Sequence, residues 1–155
     1  PTPEHNTYLI IHLNFAEVAA GLDDYAGLIN LKRFEEFLQT DLGKRMGSAY
    51  KKGLLFREQP FIMELGADMI DKEYPSDEKI LVQGIVDAFF FENDKVYIVD
   101  YKTDRVEQGK AGEKALVERY HKQLELYADT ISRVTGKETG GCYIYSTCLK
   151  KEILI

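Results

Sequence analysis

Apolar positions recur along this chain with two different periods, and the switches between them mark out its elements. Residues 4–15 end in Tyr8-Leu9-Ile10-Ile11-His12-Leu13-Asn14-Phe15, an apolar run that fits a helix or a strand equally. Asp23-Asp24 then offer an N-cap for a helix reaching about residue 39, whose predicted buried face is Leu28, Leu31, Phe34, Phe37 and Leu38. A second helical piece is predicted over 41–51, with Gly53 past its end. Residues 54–65 read as a strand, and Pro60 within it suggests an edge or a bulge. Residues 68–78 are charged, contain Pro75 and read as an irregular connection. The apolar runs 88–91 and 96–99 flank Glu92-Asn93-Asp94-Lys95, a polar turn between two strands. Residues 105–112 read as a polar loop. A helix is predicted over 113–134, with Leu116, Tyr120, Leu124, Tyr127, Ala128, Ile131 and Val134 on one stripe. Gly136 and Gly140-Gly141 are read as ending it, and 142–149 as a last strand. No internal repeat or low-complexity segment is visible. Helices, strand, hairpin, long helix and strand, in that order, predict an α/β domain with helices packed on a central sheet.

The hairpin carries the candidate chemistry. With Asn93-Asp94 as a two-residue loop, Glu92 faces Lys95, and continuing that register places Asp87 opposite Asp100. Cross-strand Cβ atoms lie about 4.5–5.5 Å apart, and like charges placed there are destabilising. Lys102 follows Asp100 by two residues and leans from the same face. Two carboxylates and an ammonium thus converge where stability alone would not put them. A hard cation such as Mg²⁺ accounts for the pair. The plain alternative is an edge hairpin with scattered surface charges. Against it, the charges interrupt otherwise apolar strands, and Gly84 leaves room for close backbone approach. On the long helix, Gln123 stands four residues before Tyr127 on the same face. A Gln in such a seam is more often a satisfied core group than a functional one.

Composition narrows the class. The 155 residues are read as one domain, 1–155, long enough for a proper core. No apolar run approaches a membrane span and no signal peptide is seen, so a cytoplasmic protein without membrane association is expected. The chain opens on Pro1 rather than Met, which suggests a piece excised from something longer. A net charge of −6 argues mildly against a generally basic nucleic-acid-coating surface. Two cysteines, Cys142 and Cys148, are too few for an Fe–S cluster or a disulfide framework and fit a reducing compartment. No Walker motif is present, so no ATPase is expected.

The run Gly84-Ile85-Val86-Asp87, then Val99-Asp100-Tyr101-Lys102-Thr103-Asp104, then Gln123-Leu124-Glu125-Leu126-Tyr127 resembles the RecB-type nuclease signature of the PD-(D/E)xK superfamily. Upstream, Leu42-Gly43-Lys44-Arg45-Met46 and Arg57-Glu58-Gln59-Pro60-Phe61 resemble the C-terminal nuclease domain of AddA-type subunits of bacterial AddAB helicase–nucleases. The similarity runs over nearly the whole chain. It implies a restriction-endonuclease-like core, a central mixed sheet flanked by helices. It also implies Mg²⁺-dependent DNA hydrolysis, with Mn²⁺ as a substitute metal. Asp87, Asp100 and the main-chain carbonyl of Tyr101 would hold the metal. Lys102 would position or help deprotonate the attacking water. Gln123 and Tyr127 would orient the site or touch the DNA. Glu58 matches the acid of the family's RExPF strand, with a surface salt bridge as its alternative. The implied substrate is the 3′-ended single strand in double-strand break processing. The implied partners are a helicase part of the same polypeptide and an AddB-type subunit. The family places a metal-binding His in its first helix, where this chain has Thr7; a shift of helix phase would bring in His5 or His12. His121 is expected to face solvent. The rival reading is an inactive nuclease-fold module that binds DNA or another protein of the complex.

Overall fold

The computed structural model describes residues 9–13 as backbone, and residues 36–69, 72–75 and 77–155. Its elements are β1 (Leu9–Leu13), α1 (Asp41–Lys51), β2 (Leu55–Gly66), a 3-10 turn (Ala67–Met69), β3 (Lys79–Glu92), β4 (Lys95–Lys102), α2 (Lys110–Thr135), β5 (Glu138–Ser146) and β6 (Lys151–Leu154). The chain divides into two compact units. One holds β1 with residues 60–85; the other holds the described residues 36–59 and 86–155. No helix among the described residues is long and apolar enough to cross a membrane.

In the smaller unit β1 runs parallel to the first half of β3, from Leu9 opposite Ile80 to Leu13 opposite Gly84. The ambiguous apolar run is therefore a strand, as a continuous aliphatic stretch suits parallel pairing. Phe61, Leu65, Ile80 and Val82 are buried there.

The larger unit carries the mixed sheet, with β3–β4 antiparallel, β4–β5 parallel and β5–β6 antiparallel. The parallel pair requires a crossover, and α2 supplies it. Asn93 and Asp94 both take positive φ, 51° and 62°, as a type I′ hairpin turn demands of its two central residues. The predicted register follows, from Glu92 opposite Lys95 to Ala88 opposite Val99. Strand alternation then separates two faces. Phe90, Val99 and Tyr145 pack with Phe37 and with Leu42, Met46 and Ala49 of α1. On the other face, Asp100 and Lys102 meet α2 through Gln123, and Leu116, Leu124, Tyr127 and Ile131 of that helix are buried.

The N-terminus of α1 is satisfied from two sides. The Thr40 hydroxyl accepts from the Gly43 N–H at 3.0 Å, and the Glu152 carboxylate accepts from the Leu42 N–H at 3.0 Å. Arg45 lies over the Tyr97 ring, 4.3 Å from its centroid, and donates to Glu92 and Tyr143, both at 2.9 Å. The segment 42–46 thus works in packing, and its Met46 sulfur accepts from the Tyr101 hydroxyl at 3.8 Å.

Several sequence expectations are corrected. Helix α2 starts at Lys110, three residues early, and Gly112 lies inside it. A Cβ at Gly112 would meet the Glu107 carbonyl at 1.9 Å, so this glycine serves close packing, not a loop. Strand β5 starts at Glu138 and runs through Gly140-Gly141. A Cβ at Gly140 would lie 2.4 Å from the Tyr97 ring, where the β4–β5 register shifts. The single last strand is two, broken after Ser146 and resumed at Lys151 beyond Lys150, whose φ is 52°. Leu38 and Val134, both expected in the core, are exposed; Val134 is 78% exposed in the last turn of α2, past its final buried residue Ile131. In β2 the irregularity falls at Glu58, with φ 50°, two residues before Pro60. The helix expected over 23–39 is described only at 36–39, which is helical; the rest lies outside the described residues.

Candidate active site

The β3–β4 ladder stops at Ala88 and Val99, one position short of the two aspartates. There the Asp87 carboxylate turns to the backbone, its Oδ2 accepting from the Tyr101 N–H at 2.9 Å. Asp100 points to the α2 face and is 1% exposed. Lys102, also buried, brings its Nζ to 2.8 Å from Asp100 Oδ2. Gln123 completes the group from α2. Its amide nitrogen donates to Asp100 Oδ1 at 3.1 Å and to the Tyr127 hydroxyl at 2.9 Å, while its Oε1 accepts from Lys102 at 3.4 Å. Gln123 is a satisfied buried polar group, and the groups that satisfy it are the site residues themselves. The structure therefore brings together Asp87, Asp100, Tyr101, Lys102, Gln123 and Tyr127.

The electrostatics centre on Asp100. Its Oδ2 is buried, with the Lys102 ammonium 2.8 Å away as its partner. Burial raises the Asp100 pKa most; the Lys102 ammonium opposes this, the Asp87 and Asp104 carboxylates add to it, and the result is about 6. A buried carboxylate beside a second carboxylate suits a hard divalent cation, which takes oxygen donors. Asp87, Asp100 and the Tyr101 carbonyl are the groups available to hold one. No cluster of three or more His, Cys, Asp or Glu side chains suited to a metal occurs among the described residues.

This sets a pH dependence. Asp100 holds its proton more tightly in the folded chain, at about 6, than at its ordinary 3.8. Without metal, its contribution to stability is present at low pH and is lost as pH rises through about 6. Metal binding runs the other way, because the protonated carboxyl is a poor ligand. The rise in melting temperature on adding Mn²⁺ is expected to be full near about pH 7.5 and to collapse by about pH 5. A shift of equal size at both values would contradict this.

Glu58 is exposed and forms neither an ion pair nor a hydrogen bond with Asp87 or Asp100. Among the described residues no ion pair includes it. The neighbouring Arg57 is the residue of that strand whose charge reaches Tyr101. His12 sits in strand β1 opposite Gln83, so a shift of helix phase cannot place it. Thr7 and His5 lie outside the described residues. His121 is exposed and pairs with Glu125 at 3.4 Å, one turn along α2. Cys142 and Cys148 are both free thiols.

Three residues near Lys102 escaped the sequence reading. Its ammonium lies 4.0 Å from the ring centroid of Tyr120. The Tyr120 hydroxyl reaches both Asp104 oxygens, at 2.8 and 2.9 Å, and Arg119 donates to Asp104 at 2.5 Å. Tyr120 looked like one more apolar stripe residue; its spacing of three from Gln123 was the available signal.

Comparison with known proteins agrees with this geometry. The model of the PD-(D/E)XK nuclease superfamily matches residues 16–152. A Clostridium perfringens protein, named as a subunit of an ATP-dependent helicase/nuclease, is 40% identical over 133 residues, which are 83% of this chain and 10% of that protein. A Listeria monocytogenes protein of the same name is 37% identical over 121 residues, 76% of this chain and 10% of its own. This chain thus spans about a tenth of the length of these curated relatives. Among solved structures, one titled "Crystal structure of SSO0001" aligns over all of this chain and 69% of its own, with a TM-score of 0.46 and 15% identity. From the match over residues 16–152, the chain belongs to the PD-(D/E)XK nuclease superfamily, with the mixed sheet and flanking helices of its restriction-endonuclease-like fold.

Proposed function

We propose that this chain is a Mg²⁺-dependent deoxyribonuclease domain that hydrolyses phosphodiester bonds of single-stranded DNA, with Asp87 and Asp100 as its metal-holding carboxylates. The observation that carries the reading is the buried Asp100 carboxylate, with the Lys102 ammonium 2.8 Å from its Oδ2 and Asp87 accepting from the N–H of the next residue, Tyr101. A divalent cation held there would polarise the scissile phosphate and acidify an attacking water. Lys102 offers a fixed positive charge beside that water and the phosphate. Gln123 holds the Asp100 carboxylate and the Lys102 ammonium in one orientation. Tyr127 is fully buried, which favours an orienting role over contact with DNA. Contacts to DNA would be mainly to phosphates, so cutting should depend little on sequence.

The relatives named for a helicase/nuclease support a wider setting. In it the domain receives the 3′-ended strand from a helicase part of the same polypeptide, beside an AddB-type subunit, in cytoplasmic double-strand break repair. The inactive-module reading draws on one observation, that no group of three or more His, Cys, Asp or Glu side chains suited to a metal occurs among the described residues. The deciding experiment is cleavage of a labelled single-stranded oligonucleotide with Mg²⁺, with Mn²⁺ and with EDTA. Cutting with either metal and none with EDTA is expected. No cutting, together with no metal-induced thermal shift, would favour the inactive module.

A further inference from the structure

Lys102 is 7% exposed, and its ammonium needs partners on every side. Asp100 and Gln123 supply two of them, and the face of Tyr120 supplies another at 4.0 Å. A cation so close to an aromatic face is attracted to the ring's negative centre, more strongly where water is excluded. The ring does not choose its own position. Its hydroxyl proton is shared between the two oxygens of Asp104, and Arg119 holds Asp104 from the same helix. Asp104 stands two residues beyond Lys102, where the chain leaves β4. The side chain of Lys102 and the residue just past it are therefore tied to one tyrosine of α2.

We propose that Tyr120 is a positioning residue for Lys102, its ring holding the ammonium toward Asp100, and that Asp104 acts through Tyr120 by fixing the ring. The inference rests on the role given to Lys102 above. A four-carbon ammonium side chain is flexible, and the ring removes the space in which it would move. The hydroxyl matters only for aiming the ring, so the ring and the hydroxyl separate in variants.

Two readouts test this on the 155-residue chain. The first is acylation of lysines at one fixed pH, read by peptide mass, with exposed Lys114 and Lys122 as internal references. Tyr120→Leu is expected to raise labelling of Lys102 severalfold against those references, and Tyr120→Phe to raise it little. The second is single-strand cleavage with Mn²⁺. Tyr120→Leu is expected to lower kcat about tenfold or more with KM within about twofold, and Tyr120→Phe and Asp104→Asn to lower it only severalfold. Should the Leu variant not fold, Tyr120→Met decides in its place. Unchanged Lys102 labelling in the ring-less variant overturns the proposal, and so does raised labelling with unchanged kcat. Lys102→Ala, run alongside, keeps the two readings apart. If Lys102→Ala still cuts, the role of Lys102 fails. If it is inactive while Tyr120→Leu cuts like the parent, only the role of Tyr120 fails. If the parent chain does not cut, the labelling result alone decides whether Tyr120 holds Lys102.

Discussion

Lys102→Met is expected to lower the single-turnover rate of metal-dependent strand cleavage by about 10²–10³-fold, the usual loss on deleting one fixed charge-stabilising group. Methionine is the sharper choice than alanine because it keeps an unbranched apolar stem in place of the lysine's. Alanine would also open space beside Asp100, whose carboxylate is buried and has Lys102 as its counter-charge. Removing one member of a buried ion pair typically costs about 3–5 kcal/mol while the other stays charged. Asp100 already titrates near 6, so without Lys102 it will take up a proton and avoid part of that cost. A folded variant with an inactive site is therefore expected. Asp100→Asn should be equally inactive, through loss of a carboxylate proposed to hold the metal. Lys114→Met, which removes an exposed helical pair with Glu118, should cut at the parent rate. Undiminished cutting by Lys102→Met would end the assignment.

Phe90→Ala is expected to have the largest effect on stability. Phe90 is fully buried, stacks on Tyr97 with ring centroids 5.2 Å apart, and packs with Leu42, Met46 and Ala49 of α1. The Arg45 guanidinium also lies 5.3 Å from its ring centroid. Removing such a ring costs about 3–5 kcal/mol through lost burial and the cavity left behind. For a chain of this size that corresponds to a fall in melting temperature of about 10–15 °C. The same variant should keep its cutting rate at temperatures where it remains folded, because Phe90 faces away from Asp100. A melting temperature within about 3 °C of the parent would show that α1 repacks onto the sheet.

How much was legible follows from where the information sits. The hairpin could be read because Asn-Asp between two apolar runs names its own turn type, and the turn fixes every pairing after it. Asp87, Asp100 and Lys102 were found for that reason. Gln123 stood out as a polar residue in an apolar stripe, but that pattern alone read it as a satisfied core group, and only the motif resemblance set it beside the aspartates. Tyr120 was missed for the opposite reason: a tyrosine there satisfies the stripe, and its use as a ring under an ammonium depends on the tertiary approach of α2 to β4. Asp104 was quoted within the motif, but its partner was invisible without the helix. Gly112 and Gly140 misled, since glycine in sequence signals a break, whereas here each admits a close neighbour. Glu58 shows where motif matching and local pattern diverge, because a strand residue with φ 50° cannot be read from the alternation of the strand.

The turn at Asn93-Asp94 has one more consequence. It lies about six residues, or roughly 20 Å along the strand, from Asp87, and none of the proposed site residues lies in it. Yet it acts as the ruler that matches one aspartate to the other. Lengthening β4 by a single residue just after the turn would move Asp100 and Lys102 together onto the α1 side of the sheet and leave Asp87 alone. Evolution can therefore decorate the loop tip with new side chains, but it cannot change the count of residues there by one and keep this centre. Across members of this lineage, the spacing from Asp87 to Asp100 should be less free to drift than the residues that fill it.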